Sequence, residues 1–287
     1  MTIDPKEISI PKFHSYLLGA VTPRPIALAS TVDRDGNVNL SPFSFFNCFG
    51  TNPPVLIFAP SRRGRDNTTK HTHENVLEVP EVVIHIVSYP MVQQMSLASA
   101  EYPKGVNEFI KAGFTPIPAS RVKPPRVGEA PVAFECKVIQ IVPTGDQGGA
   151  GILLICEILF MHINDDVLDK EGLIDPFKLD VVGRLGSAWY CRVQGDSIFR
   201  VPKPLKELGI GFDQIPENIR NSKVLTGNDL GMLASIKALP VVPTLEESKL
   251  DITFQTAMMK GEEALHKLAH EYLLQGNIEQ AWKILLA

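Results

Sequence analysis

The chain has 287 residues, with 28 Lys and Arg against 32 Asp and Glu, a formal net charge of −4, 44% hydrophobic and 21% charged residues. That composition is globular and excludes a fibrous repeat or wholesale disorder, and the acidic balance leaves no basic footprint for nucleic acid. No apolar run is long enough to cross a bilayer, and the start MTIDPKEISIPKFHSY lacks the apolar core of a secretory leader, so a cytoplasmic protein outside the membrane is expected.

Apolar runs too short for helices, rich in β-branched residues and bounded by Pro, Gly or Asn, recur through the first two thirds of the chain. Residues 25–32 and 38–42 flank Asp33-Arg34-Asp35-Gly36-Asn37, whose Asp-Gly step signals a hairpin. Residues 55–59 and 82–87 read as buried strands. The longer runs 132–142 and 151–164 form an antiparallel pair about the glycine-rich turn 145–149. Helices are expected at 72–78, at 90–100 behind Pro90, and at 107–112 ahead of Gly113. Strands in runs with a few inserted helices imply a mainly β or α+β barrel, not alternating βαβ units.

From about Gly195 the pattern turns irregular, with one helix at 228–239 stopped by Pro240. After Thr244 a helical pair is expected. Leu265, Leu268, Ala269, Tyr272 and Leu273 share a face, Gly276 ends the first helix, and Asn277 with Gln280 resembles a capping box for the second. Ile278, Trp282 and Leu285 continue the apolar face.

Four stretches carry candidate chemistry. Thr22–Pro25 places Arg24 between prolines, ahead of a strand that ends in Ser30 and Thr31; the plainer reading is an edge strand with a solvated arginine. In Asn39-Leu40-Ser41-Pro42-Phe43-Ser44-Phe45-Phe46-Asn47, phenylalanines alternate with serines and asparagines that a pure core would leave without partners. The stretch 61–75 gathers Arg62, Arg63, Arg65, Lys70 and several hydroxyls at a helix start, which would make a phosphate site, although a charge run alone favours a solvated basic loop. His162 lies beside Asp165 and Asp166 at a strand end. Cys48, Cys136, Cys156 and Cys191 form no C-x-x-C pair, so no metal is expected. By spacing alone, the residues specify a β-rich protein with a candidate anion site.

Taken in order, these segments resemble the flavin reductase-like family. The resemblance rests on TPRPIALAST (22–31), NLSPFSFFN (39–47), the K-x-T-x-x-N of Lys70, Thr72 and Asn75, GVNEFIKAGFTPIP (105–118), PVAFEC (131–136), and Arg184-Leu185-Gly186 with Tyr190. It implies a six-stranded Greek-key split β-barrel over 10–195 with peripheral helices, working as a homodimer, and it leaves 196–287 as a C-terminal helical extension. It also implies FMN, with NADH or NADPH as hydride donor and a partner oxygenase or other electron acceptor.

By the same resemblance Thr31, Ser44, Phe45, Phe46, Asn47 and Cys48 line the flavin, with backbone N–H groups of a turn at 46–48 facing its pyrimidine edge. Lys70, Thr72 and Arg24 or a nearby arginine take the phosphate, and Asn75 buttresses the loop. Two positions depart from the family pattern. His71 stands where many members have aspartate, and Gln147 stands where short reductases have a histidine, a role for which His162 is a candidate. An FMN-binding electron carrier or flavin store, a pyridoxamine phosphate oxidase-like barrel and a partner-binding barrel are the rival readings.

Overall fold

The computed structural model describes residues 1–201, 208–240 and 252–287. They fall into two compact units, Met1–Phe199 and Arg200–Ala287. The first contains α1 (Ile10–Ala20), β1 (Ala27–Val32), β2 (Val38–Phe43), β3 (Phe46–Thr51), β4 (Pro54–Phe58), α2 (His71–Glu78), β5 (Glu81–Ile86), α3 (Val92–Leu97) and α4 (Glu108–Ala112). It continues through β6 (Pro116–Ile117), β7 (Arg126–Val127), β8 (Val132–Pro143), β9 (Ile152–Ile163), α5 (Pro176–Leu179), β10 (Val182–Arg184) and β11 (Tyr190–Arg192).

The principal sheet is antiparallel with strand order β2-β1-β5-β8-β9-β4-β3. It has seven strands, one more than expected, because residues 46–51 pair along β4. Its two edge strands, β2 and β3, are consecutive in the chain and joined only by Ser44 and Phe45. Three Cα steps span at most roughly 11 Å. The two edges must therefore lie close together, so the sheet rolls into a barrel, yet no ladder joins β2 to β3. The barrel is split along that seam.

β1 is buried at every position, because both of its faces are covered. Ala27 and Ala29 join Phe43, Phe58, Val82, Ile84 and Leu154 in one core. Leu28 turns the other way and joins Leu40, Met91, Met95 and Phe109 beneath α3 and α4. Two-sided burial is why β1 and β5 read as nearly continuous apolar runs instead of alternating ones. The β1–β2 turn forms as its Asp-Gly step implies: Asp33 accepts from the N–H groups of Asp35 and Asn37, and Gly36 takes φ 84°.

The helix α1 is not foreseen in the sequence. None of its residues is buried, and its cues are only Ser9 before it and Pro11 in its first turn. The stretch 90–100 is also shorter than expected, a single 3₁₀ turn at Tyr89–Met91 leading into α3.

The second unit has its own core, built by α6 (Glu217–Arg220), α7 (Gly227–Leu233), α8 (Ile252–Lys260), α9 (Glu262–Leu274) and α10 (Ile278–Leu285). Trp282 is fully buried there and its indole N–H donates to the Leu233 carbonyl at 3.1 Å. Gly276 takes φ 76° between α9 and α10, and the Asn277 side chain caps α10 by accepting from the Gln280 N–H. The helix expected at 228–239 stops at Leu233, well before Pro240. Residues 241–251, on which part of the expected helical pair falls, lie outside the described residues.

Candidate functional site

The barrel seam opens onto a groove of about 700 Å³. Pro42, Phe43, Ser44, Phe45 and Ala59 line its floor, and Ile10, His14 and Leu18 of α1 form one wall. The floor is pinned where it crosses the seam, since the Ala59 N–H donates to the Phe45 carbonyl at 2.9 Å. The His14 ring meets the edge of Phe45 with centroids 6.5 Å apart. The β8–β9 turn closes one end. Arg62 N–H donates to the Ala150 carbonyl and Gly149 N–H to the Arg62 carbonyl, at 2.9 and 3.1 Å. A Cβ at position 148 would meet the Arg63 carbonyl at 3.1 Å, so the two loops approach closely there and a larger residue would press them apart by a few tenths of an ångström.

The loop that this turn meets makes the same end cationic. Arg62, Arg63, Arg65 and Lys70 all line the groove. Arg63, Arg65 and Lys70 converge on the Glu101 carboxylate at 3.3, 2.7 and 3.5 Å. Arg62 is turned back onto Asn67. Asp66 braces the loop by accepting from the Thr68 hydroxyl and N–H, which hold its carboxyl well below the usual range. Lys70 is also the N-cap of α2, and no side chain caps that helix start. Its first N–H groups lack intrahelical acceptors and add their partial positive charge to the cluster. A groove apolar along its length and cationic at one end suits a flat ligand carrying an anionic tail.

Other residues expected at the site do not line this groove, although Thr72 borders a small cavity beside it with Arg63, Lys70 and Glu101. The Arg24 guanidinium, 5% exposed, donates to the carbonyls of Leu18, Val21 and Leu185, and more weakly to the Ser44 hydroxyl. Burial and Arg184 lower its pKa. Its donors are committed to the backbone, so Arg24 fastens α1 to the barrel and is not free for an anion. Thr31, Thr72 and Asn75 are buried in a polar joint between α2 and the sheet: Asn75 donates to the Thr31 hydroxyl at 3.1 Å, and Asn39 to the Thr72 hydroxyl at 2.9 Å. Phe46, Asn47 and Cys48 do not form a turn. They begin the edge strand β3, where the Asn47 side chain accepts from the Cys48 N–H.

His162 sits near the C-terminal end of β9, whereas the turn bordering the groove precedes its first residue. Ten residues of strand span roughly 33 Å. Its ring instead bonds Glu135 at 2.6 Å, and Glu135, fully buried, also accepts from the N–H groups of Ser120 and Arg121. Burial pushes the Glu135 carboxyl up, but these bonds outweigh it and hold the pKa low. Within this chain His162 is therefore held at Glu135, far along β9 from position 147.

A family model described as "Flavin reductase like domain" matches residues 18–177, which hold the barrel, the groove floor and the cation cluster. The chain belongs to that family. An uncharacterised Aquifex aeolicus protein is 39% identical over 196 residues, covering 68% of this chain and 97% of its own length. Nitrilotriacetate monooxygenase component B from Bacillus cereus superposes with TM-score 0.65 at 28% identity, over 70% of this chain and 98% of that one. A Shewanella frigidimarina protein described as a flavin reductase with a split barrel domain gives 0.59 at 26%, over 71% and 99%.

In this flavin reductase-like chain, the groove residues that sequence reasoning missed are those supplied by α1 and by Glu101. Nothing in the spacing of Ile10, His14 and Leu18 marks a ligand wall, since no residue of α1 is buried. Glu101 lies 31 residues beyond Lys70 and reaches the cluster only because the chain returns after α3. Ser41 and Ser61, each within a stretch that the sequence marks for its hydroxyls, also face the groove.

Proposed function

We propose that the groove binds FMN and that the chain is an NAD(P)H-dependent flavin oxidoreductase. The reading rests on one observation, a groove with an apolar floor and wall whose four cations all come from one loop, residues 62–70. The volume falls in the ordinary range for small-molecule sites, roughly 300–1,000 Å³. The residues fit the group: Arg63, Arg65 and Lys70 already hold an anion, the Glu101 carboxylate, where the phosphate would sit. Ser41, Ser44 and Phe45 would lie along the isoalloxazine and ribityl chain, with Ile10 and Leu18 excluding water from one side.

FMN held there would supply the hydride-accepting chemistry of its N5 toward NADH or NADPH, and a later acceptor would take the two electrons. No side chain is needed as acid or base; the chain's own part is to fix the ring by the pinned Phe45 backbone and the phosphate by charge. The similarity to a monooxygenase component favours a partner oxygenase as acceptor. A homodimer is supported by the unpaired edge of β3 and by exposed apolar side chains on the barrel, including Phe49 at 64% and Leu159, Phe160 and Met161. We take 10–195 as the flavin domain and 196–287 as an extension of separate role.

A second reading, an FMN electron carrier or store, is favoured by Gln147, whose amide bonds the neighbouring Asp146 side chain at the turn beside the groove. Anaerobic addition of NADH and NADPH to the FMN-loaded protein separates the two. The reductase reading predicts bleaching of the oxidised flavin absorbance with at least one donor. Persistence of that absorbance with both would leave the carrier.

A further inference from the structure

Glu101 is the only carboxylate among the described residues lining the groove, against four cations. It is no bystander in the cluster: its two oxygens together engage Arg63, Arg65 and Lys70. The other nearby acid, Asp66, is tied into its own loop by Thr68 and touches only Arg65 of these three. Glu101 has a different character. It follows α3 on an irregular segment, its side chain is 42% exposed, and its bonds are made to the cations alone among side chains.

Ion pairs that water reaches, as at Arg65 and Glu101, contribute little net stability, so the carboxylate can leave for water at small cost. A phosphate ester brings up to twice its charge and one more acceptor oxygen. It outcompetes Glu101 for the same donors. A ligand that ends in a hydroxyl cannot.

We propose that Glu101 is a built-in competitor for the ligand's phosphate, holding Arg63, Arg65 and Lys70 together in the empty groove and swinging into solvent when the phosphate arrives. The inference rests on the FMN reading for the identity of the ligand. Glu101 thereby lowers affinity for phosphorylated ligands only, and makes the bound flavin more readily exchanged. It also keeps Arg63, Arg65 and Lys70 together, where three neighbouring cations would otherwise repel one another.

The test is titration of wild type and Glu101→Gln with FMN and with riboflavin, followed by flavin fluorescence, with thermal shift in inorganic phosphate as a flavin-free arm. Glu78→Gln is the charge control, since Glu78 pairs with Arg34 and does not line the groove. Glu101→Gln is expected to tighten FMN about tenfold, from the loss of two or three such pairs. Riboflavin affinity should stay within about twofold, Glu78→Gln should match wild type, and phosphate should stabilise Glu101→Gln more than wild type. Equal or weaker FMN binding by Glu101→Gln would overturn the proposal, as would equal tightening of riboflavin. If neither protein binds FMN, the flavin reading fails and the phosphate arm still decides: a larger shift in Glu101→Gln supports competition, and an equal shift refutes it.

Discussion

Two sets of polar side chains in the barrel unit use the same residue types for opposite ends. Arg24, Thr31, Thr72, Asn75, His85 and Glu135 are buried and satisfied by fixed internal partners. Arg65, Lys70 and Glu101 are partly exposed and satisfied by one another. A buried polar group must keep its partners or lose several kcal/mol, so it is structural. A partly exposed cluster held by exchangeable ion pairs can give them up to a ligand. Burial and commitment of donors, more than residue type, separate scaffold from site.

The largest effect expected on the scaffold side at neutral pH is at Arg24. Arg24→Ala leaves the carbonyls of Leu18, Val21 and Leu185 without their donor and frees α1, costing about 1–3 kcal/mol by denaturant unfolding. Unchanged stability together with loss of phosphate selectivity would move Arg24 into the site and break the contrast.

The next effect is set by His85. It is fully buried, its Nδ1 meets the Leu28 carbonyl at 2.7 Å, and its Nε2 accepts from the Val127 N–H at 2.9 Å, which requires the neutral ring. Burial pushes its pKa down to about 4 from an ordinary 6.5. As pH falls the unfolded chain takes the proton first. Stability is therefore full above pH 6.5 and lost progressively down to pH 4, by about 3 kcal/mol from this group. His85→Gln should flatten that part of the stability profile, measured by urea midpoints across the range; an unaltered slope would show that other groups carry it.

Much of the barrel was legible in the sequence, because β1, β4, β5, β8 and β9 are short or paired β-branched runs whose burial leaves few polar interruptions. The seam was not. Ser44 and Phe45 look like any polar break in an apolar segment, and only the strand order shows that they bridge the two sheet edges. The helix α1 escaped notice because it buries nothing. At the site, the cation run around Arg62 to Lys70 was visible as composition. Which hydroxyls and cations stay available is a property of burial: Thr72 and Lys70 are two residues apart, yet one is locked to Asn39 and the other faces the groove. Glu101 was hidden because its role depends on a chain return that no local pattern encodes.

The central claim is that the cations at the groove's end hold the phosphate of FMN. Parallel titration of wild type and Arg65→Ala/Lys70→Ala with FMN and riboflavin at one ionic strength tests it most directly. The account predicts saturable FMN binding by wild type, tighter than riboflavin, and a preference that falls by about tenfold or more in the variant while riboflavin binding and the unfolding midpoint hold. An FMN dissociation constant equal in the two proteins, or no flavin binding by either, would contradict it.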